Sequence, residues 1–387
     1  MKRIWLTRNL ILLTMVSLAQ DAASELLYPL LPILLTGVIG AAPLALGLIE
    51  GCAEAAAGFT KLISGKSSDR LGRKPFVISG YSLAGVGKAL VVVATSWQLV
   101  FLGRVTDRIG KGMRSAPRDA LISDSVDKAH LGKAFGFHRT GDNIGAVFGP
   151  LIALAGLSLL NDDVRAVAKW ALIPALLSGL LTLFVKETVA VKKEAAAQRE
   201  KVPLPAPLKK AIAILVCIQL TNIPDALLLL RLYDLRFSVQ GVVLAYALYS
   251  LVTVIFAFPG GYFADKFAPQ IVYAVGLLAF AIAYATLGLT SSKSMAILAL
   301  VIYGIFPALT DGVGKAWIAK LSDTQHRGRA QGVYQASMNF AVLGAGLWGG
   351  ALWSEGQTQP VLVIAALGAL CGAIFFGGRF LREGLAN

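Results

Sequence analysis

Apolar stretches of about twenty residues recur along this chain with only short polar gaps between them, and that is the length a helix needs to cross the hydrocarbon core of a bilayer. Twelve such windows can be placed, over approximately residues 8–36, 43–64, 74–95, 97–124, 134–160, 165–186, 209–231, 240–264, 270–290, 294–322, 330–353 and 358–380. Connections such as Gly37 to Ala42 and Ala94 to Trp97 are too short to hold a soluble domain. The expected architecture is therefore an all-α membrane protein of twelve transmembrane helices. Composition agrees, since only 15% of the 387 residues are charged against about 25% in an ordinary soluble domain. Lys2 and Arg3 ahead of Leu10 to Leu18 imitate a signal peptide, but the apolar run continues past Asp21 and Glu25 to Leu35 without a small-residue cleavage site. We read it as a retained first membrane helix. Cys52, Cys217 and Cys371 lie far apart inside apolar runs, so buried thiols are expected, with no disulfide framework and no metal site.

The formal charge of +14 could signal nucleic acid, an anionic surface or an anionic substrate, and only its placement decides. Of the 36 Lys and Arg residues, 22 fall on the loops of one face, whereas the opposite loops hold five: Arg165, Lys169, Arg231, Arg236 and Lys293. By the positive-inside rule the first face is cytoplasmic, and an even number of spans places both termini there. The excess then reports orientation in a bacterial cytoplasmic (inner) membrane. The lipid bilayer is the expected partner, nucleic acid is not, and the chain is expected to be a monomer.

The longest polar interruption, Lys186 to Lys210, carries seven basic residues together with Pro203, Pro205 and Pro207. It divides an N-terminal six-helix bundle (1–188) from a C-terminal one (209–387), with a cytoplasmic linker over 189–208. An internal repeat supports the division. At an offset of 196 residues Gly65 falls on Gly261 and Asp69 on Asp265, and in the same register Ala120, Asp127, His130, Gly132, Gly136 and Asn143 fall on Ala316, Asp323, His326, Gly328, Gly332 and Asn339. Two parallel six-helix repeats are expected from this pattern, with a cavity between them near the midplane.

The segment Gly65-x-x-x-Asp69-Arg70-x-Gly72-Arg73-Lys74-Pro75 resembles the signature loop of the major facilitator superfamily, and Gly261 to Lys266 resembles a weaker copy of it. The resemblance implies the major facilitator fold, and a cytoplasmic gate built on Gly65, Asp69, Arg70, Gly72, Arg73, Asp265 and Lys266. Arg104 resembles the family's buried arginine, which the resemblance links to proton transfer. Gly145-x-x-x-Gly149-Pro150 resembles its antiporter motif, whose small residues let helices pack closely. The run from Arg104 to Asp119 is similar to a bacterial, drug/proton-antiporter-like subgroup.

A charge near the bilayer centre costs about 2.5–3.5 kcal/mol on insertion scales, so each one is a candidate for function. Leaving aside the charges toward the ends of the windows, eighteen charged residues lie in the spans, fifteen of them in the first half. Asp21 and Glu25 share a helix face, as do Glu50 and Glu54. Neighbouring carboxylates repel and so exchange protons readily, which makes these four the proton-coupling candidates, with Arg104, Asp107 and Asp142 as their partners. Arg139 and Asp142 are close enough in sequence to pair. Arg104, Arg108, Lys111, Arg114 and Arg118 form a stripe, from which Arg108, Lys111 and Arg114 are taken as substrate contacts. In the second half Asn222, Asp225, Tyr246, Tyr249, Trp317, Gln335 and Asn339 suit the body of an organic solute. Lys88 is the lone charge on spans 3, 6, 9 and 12, the spans expected on the outside of such a bundle.

The function expected is secondary transport: a small organic solute moves across the membrane in exchange for protons, by alternating access, in the direction of export. No cofactor is called for beyond the proton gradient. The alternatives are proton-driven uptake of an anionic solute, such as an organic acid, a phosphate ester or a ferric chelate, and a membrane sensor or scaffold that does not transport. No His-Glu-x-x-His, Gly-x-Ser-x-Gly or phosphate-binding loop occurs, so an enzyme is not expected.

Overall fold

The computed structural model describes residues 5–127, 130–187, 204–322 and 327–384, with the side chains of residues 66, 69, 70, 265, 327, 328 and 379–384 excepted. Nearly all of it is helical. In chain order the helices are α1 (Arg8–Leu27), α2 (Pro43–Leu71), α3 (Arg73–Val92), α4 (Trp97–Ser125), α5 (Leu131–Leu159), α6 (Val164–Trp170), α7 (Leu172–Thr182) and α8 (Ala206–Gln219). They continue as α9 (Asp225–Asp234), α10 (Val239–Lys266), α11 (Pro269–Leu289), α12 (Lys293–Tyr303), α13 (Ile305–Lys320), α14 (Arg327–Ser354) and α15 (Thr358–Gly384).

Three of the expected spans are each built from two α-helices with a proline at or beside the break, and the first continues beyond α1 as a 3-10 turn over Tyr28–Leu30 and a π-helix over Ile33–Val38. Pro174, Pro224 and Pro307 lack the amide that would continue the hydrogen-bond ladder, and they lie at or next to the junctions α6/α7, α8/α9 and α12/α13. A break inside a membrane leaves backbone groups that other elements must satisfy. At the α8/α9 break Trp348 Nε1 donates to the Leu220 carbonyl at 2.8 Å and the Tyr284 hydroxyl donates to that of Ile223 at 3.3 Å. At the α12/α13 break the Thr253 hydroxyl donates to the Gly304 carbonyl at 3.1 Å.

Eight helices among the described residues are long and apolar enough to cross a membrane. The helices α2, α4 and α14 are long enough, at 29, 29 and 28 residues, but fall below that apolarity because charged and amide side chains interrupt them. Large apolar side chains such as Phe148, Ile173, Leu176, Phe258, Ile282 and Ile374 stand exposed on the helices, a surface suited to lipid and not to water. The chain is a multi-pass membrane protein. Cys217 and Cys371 belong to that exposed surface and Cys52 is half-buried, a correction to the buried thiols expected: apolar flanks in a membrane helix mark contact with lipid as often as burial in protein.

The chain forms two compact units, Met1–Ala41 with Cys52–Pro203, and Ala42–Gly51 with Leu204–Asn387. Helix α2 thus begins in the second unit and ends in the first. In the first unit α3 packs along α4 and α7, and α1 along α5; in the second α11 packs along α12, α13 and α15, and α8 along α14.

Glycine sets the closest of these approaches. A Cβ on Gly87 would stand 2.5 Å from the Gly103 carbonyl oxygen, and one on Gly110 would stand 2.5 Å from that of Gly80. The two pairs have the same seven-residue spacing on antiparallel helices, so α3 and α4 touch backbone to backbone at two levels.

Candidate functional site

That contact brings the side chain of Lys88 onto α4. Lys88 Nζ lies 2.7 Å from Asp107 Oδ1, and both residues are almost fully buried. Arg104 and Arg108 approach the other oxygen, with Nη1 of each at 3.5 and 3.7 Å from Asp107 Oδ2. Arg108 Nε also meets Glu54 Oε1 at 2.9 Å, and the Arg104 guanidinium lies over the Tyr28 ring, 5.6 Å from its centroid. One carboxylate is thus surrounded by three cations, with α3 tied to α4 by a charge-assisted hydrogen bond and α2 to α4 by an ion pair. Lys88 is no outward-facing exception: it enters the bundle beside Asp107 because its glycine neighbour leaves room.

A second cluster lies between α1, α4 and α5. The motif glycines of α5 face α1: a Cβ on Gly145 would meet the Leu18 carbonyl oxygen at 2.5 Å, and one on Gly149 would meet Glu25 Cβ at 2.8 Å. The helices are close enough for Asp142, Arg114, Lys111 and Glu25 to act electrostatically on Asp21. Arg114 stacks on Tyr81, 4.4 Å from the ring centroid, and Arg118 donates to Ser17 Oγ at 2.9 Å and to Asp119. The expected Arg139 pairing gives way to another. Asp142 Oδ1 stands 3.8 Å from Nε2 of the buried His138, one turn back, while Arg139 lies with Gly136, Phe137 and Thr140 on the exposed side at this end of α5. Lys111 is exposed and Arg108 half-buried. Glu50 is buried, and Glu54, one turn further along α2, is half-buried.

The gate candidates are described in part. Gly72 has φ +93°, a left-handed conformation that suits glycine, and it starts α3. The Glu187 carboxylate accepts from the Arg73 and Lys74 amides, the latter at 2.8 Å, so an anion caps the positive end of α3. Arg73 also pairs with Asp124, and Gly65 lies against Ala116. Lys266 sits over the Tyr262 ring at 4.5 Å, and the side chains of Asp69, Arg70 and Asp265 lie outside the described residues. Glu187→Ala is expected to cost about 1 kcal/mol at the α3 terminus. Hydrogen exchange at the amides of Arg73 and Lys74 should accelerate about fivefold, and unchanged exchange would refute the cap.

In the second unit the α8/α9 break presents Asn222 and Asp225. The Tyr303 hydroxyl donates to Asp225 Oδ1 at 2.7 Å and the Tyr249 hydroxyl to Oδ2 at 2.9 Å. Asn222 Oδ1 accepts from Tyr303 and Tyr284 at 3.2 and 3.3 Å. Tyr249 and Tyr303 stack with centroids 5.4 Å apart, Tyr246 joins at 5.6 Å, and Phe280, Tyr284 and Phe306 continue the aromatic wall. Asn222, Asp225, Tyr246 and Tyr249 therefore converge as expected. Trp317 does not join them; it packs edge-on against Phe376. Gln335 and Asn339 lie one turn apart on α14, half-buried.

Sequence reasoning passed over Lys88, His138, Tyr284 and Glu187. The signal for Lys88 was present in the glycine spacing of α3 and α4; for Glu187, placed by the chain's return to the start of α3, no local pattern exists.

A helical membrane protein with charged clusters in one unit and an acidic aromatic site in the other has the character of a solute carrier. The family model of the Major Facilitator Superfamily matches residues 11–222 and 211–384, and this chain belongs to that superfamily of transporters. It is 30% identical over 377 residues to an MFS-type transporter of Methanocaldococcus jannaschii, covering 95% of this chain and 94% of the relative. The multidrug resistance protein MdtH of Klebsiella pneumoniae is 23% identical over 363 residues, covering 89% of this chain and 87% of MdtH. Among solved structures the nucleoside transporter NupG aligns with TM-score 0.81 at 16% identity over 96% of this chain and 100% of that one. A D-xylose-proton symporter aligns with TM-score 0.77 at 18% identity, covering 95% of this chain and 96% of the symporter. These two likenesses establish the fold.

Proposed function

We propose that this transporter moves a small organic solute across the bacterial inner membrane in exchange for protons, by alternating access, with six spans in each half and both termini cytoplasmic. The observation that carries the reading is Asp21, held against α5 by Gly145 and Gly149 within the field of Asp142, Glu25, Lys111 and Arg114. A carboxylate that feels both like and opposite charges inside a membrane helix can trade its proton for a solute or a neighbouring cation. Export is favoured by the similarity to MdtH and by the glycine-proline motif of α5. In proteoliposomes an inward proton gradient should drive solute out. Asp21→Asn should abolish the gradient-driven component by at least tenfold while leaving downhill exchange measurable. Equal gradient dependence in that variant would overturn the assignment of Asp21.

Proton-driven uptake of an anionic solute is the second reading. It is favoured by the exposed Lys111 and by the buried Arg114, whose Nη1 has no hydrogen-bond acceptor among the described residues. Under that reading the same gradient draws solute inward.

A further inference from the structure

The α8/α9 break holds a group the general reading leaves unexplained: a carboxylate addressed by two phenol hydroxyls and backed by six aromatic rings. We infer that Asp225 and the tyrosines around it form a subsite for a cationic group of the solute, a protonated or quaternary amine. This deepens the transport reading and rests on it.

The argument runs from what lines the site. Asp225 brings a full negative charge, and each of its oxygens accepts from a tyrosine. Around it the chemistry is of acceptor and π character: the Asn222 side-chain oxygen, the tyrosine oxygens and the half-exposed ring of Tyr249, with Tyr246 and Tyr303 packed against it. An aromatic ring attracts a cation, the more strongly as water is excluded. An anion would meet the carboxylate and oxygens already committed as acceptors. The positive end of α9, which elsewhere could receive an anion, here carries Asp225 in its own first turn. A neutral solute would gain ring contact but forgo the charge.

The site is also built to be reached. Asn222, Asp225 and Tyr249 are half-exposed, whereas Tyr284 and Tyr303 behind them are buried. The proline break, and the satisfaction of its freed carbonyls by Trp348 and Tyr284, hold the α9 start in place, so the carboxylate is positioned before any solute arrives. Stacking of Tyr249 on Tyr303 orients both hydroxyls toward it.

Calorimetric titration of the full chain in lipid nanodiscs tests this with benzyltrimethylammonium, its neutral isostere neopentylbenzene and the anion benzenesulfonate. The cation should bind at least tenfold more tightly than either of the others. Asp225→Asn should weaken cation binding at least tenfold without changing the affinity for neopentylbenzene. Tyr249→Leu, at a half-exposed position that burdens folding less, should weaken the cation several-fold. Absence of cation binding to the wild-type chain, equal binding of the neutral isostere, or full affinity in Asp225→Asn would each overturn the proposal. The titration uses no proton gradient. Failure of coupling at Asp21 with cation binding intact would therefore sink the coupling reading and leave the subsite standing, and the reverse result would do the opposite.

Discussion

Asp107→Asn is expected to be among the most damaging single substitutions in this protein, costing about 3–5 kcal/mol, the range for removing one partner of a buried ion pair. It would leave the buried Lys88 and Arg104 facing an amide in place of a carboxylate, while Arg108 keeps its contact with Glu54. Lys88→Met should cost less, because Asp107 keeps both arginines within 3.7 Å. The double variant Lys88→Met with Asp107→Asn removes one charge of each sign and should be more stable than Asp107→Asn alone. Thermal midpoints of the four proteins in nanodiscs form the cycle that checks this. A Lys88→Met midpoint at or below that of Asp107→Asn would show that the arginines do not compensate Asp107, and a double variant no more stable than Asp107→Asn would show that the two residues are not coupled.

Gly103→Leu should be comparably severe for a different reason. Its Cβ would meet the Gly87 carbonyl oxygen at 2.7 Å and the Val91 amide nitrogen at 2.9 Å, and backbone atoms cannot rotate away as a side chain can. Helices α3 and α4 would have to separate, at a cost of about 1–3 kcal/mol or more. Lys88 would then be drawn from Asp107, so the packing and charge losses would compound. Gly85→Ala is the control: nothing lies within 4 Å of its Cβ, and alanine gains up to about 1 kcal/mol of helix propensity over glycine. A midpoint raised or unchanged for Gly85→Ala and strongly lowered for Gly103→Leu would locate the effect in the contact between helices. Equal behaviour of the two would remove the argument.

The two clusters differ in how much of them could be read in advance. Charges such as Arg104, Asp107 and Arg108 are legible because lipid makes any charge in an apolar window conspicuous, and helical periodicity then assigns them a face. The acidic site of the second unit was legible to the extent that Asn222, Asp225, Tyr246 and Tyr249 are polar groups in apolar spans. Their partners were less so. Asp142 sits beside His138 and not Arg139, because the face that counts is the one α5 turns toward α1, and glycines without a Cβ choose that face. Trp317 was grouped with the tyrosines on residue type alone, yet α13 turns it toward Phe376.

The sequence by itself determined that the chain crosses a membrane many times, because hydropathy is a local property and a bilayer accepts a backbone only when its polar groups are satisfied within the helix. Proline marks where a helix can break but not that it must, since Pro117, Pro150 and Pro259 lie inside unbroken helices. Only the tertiary structure decided which charges meet. Lys88 and Asp107 lie nineteen residues apart and Asp225 and Tyr303 seventy-eight, and no local pattern encodes such pairings. They follow from how closely two helices approach and at what rotation, which is set by glycines and ring contacts distributed over both.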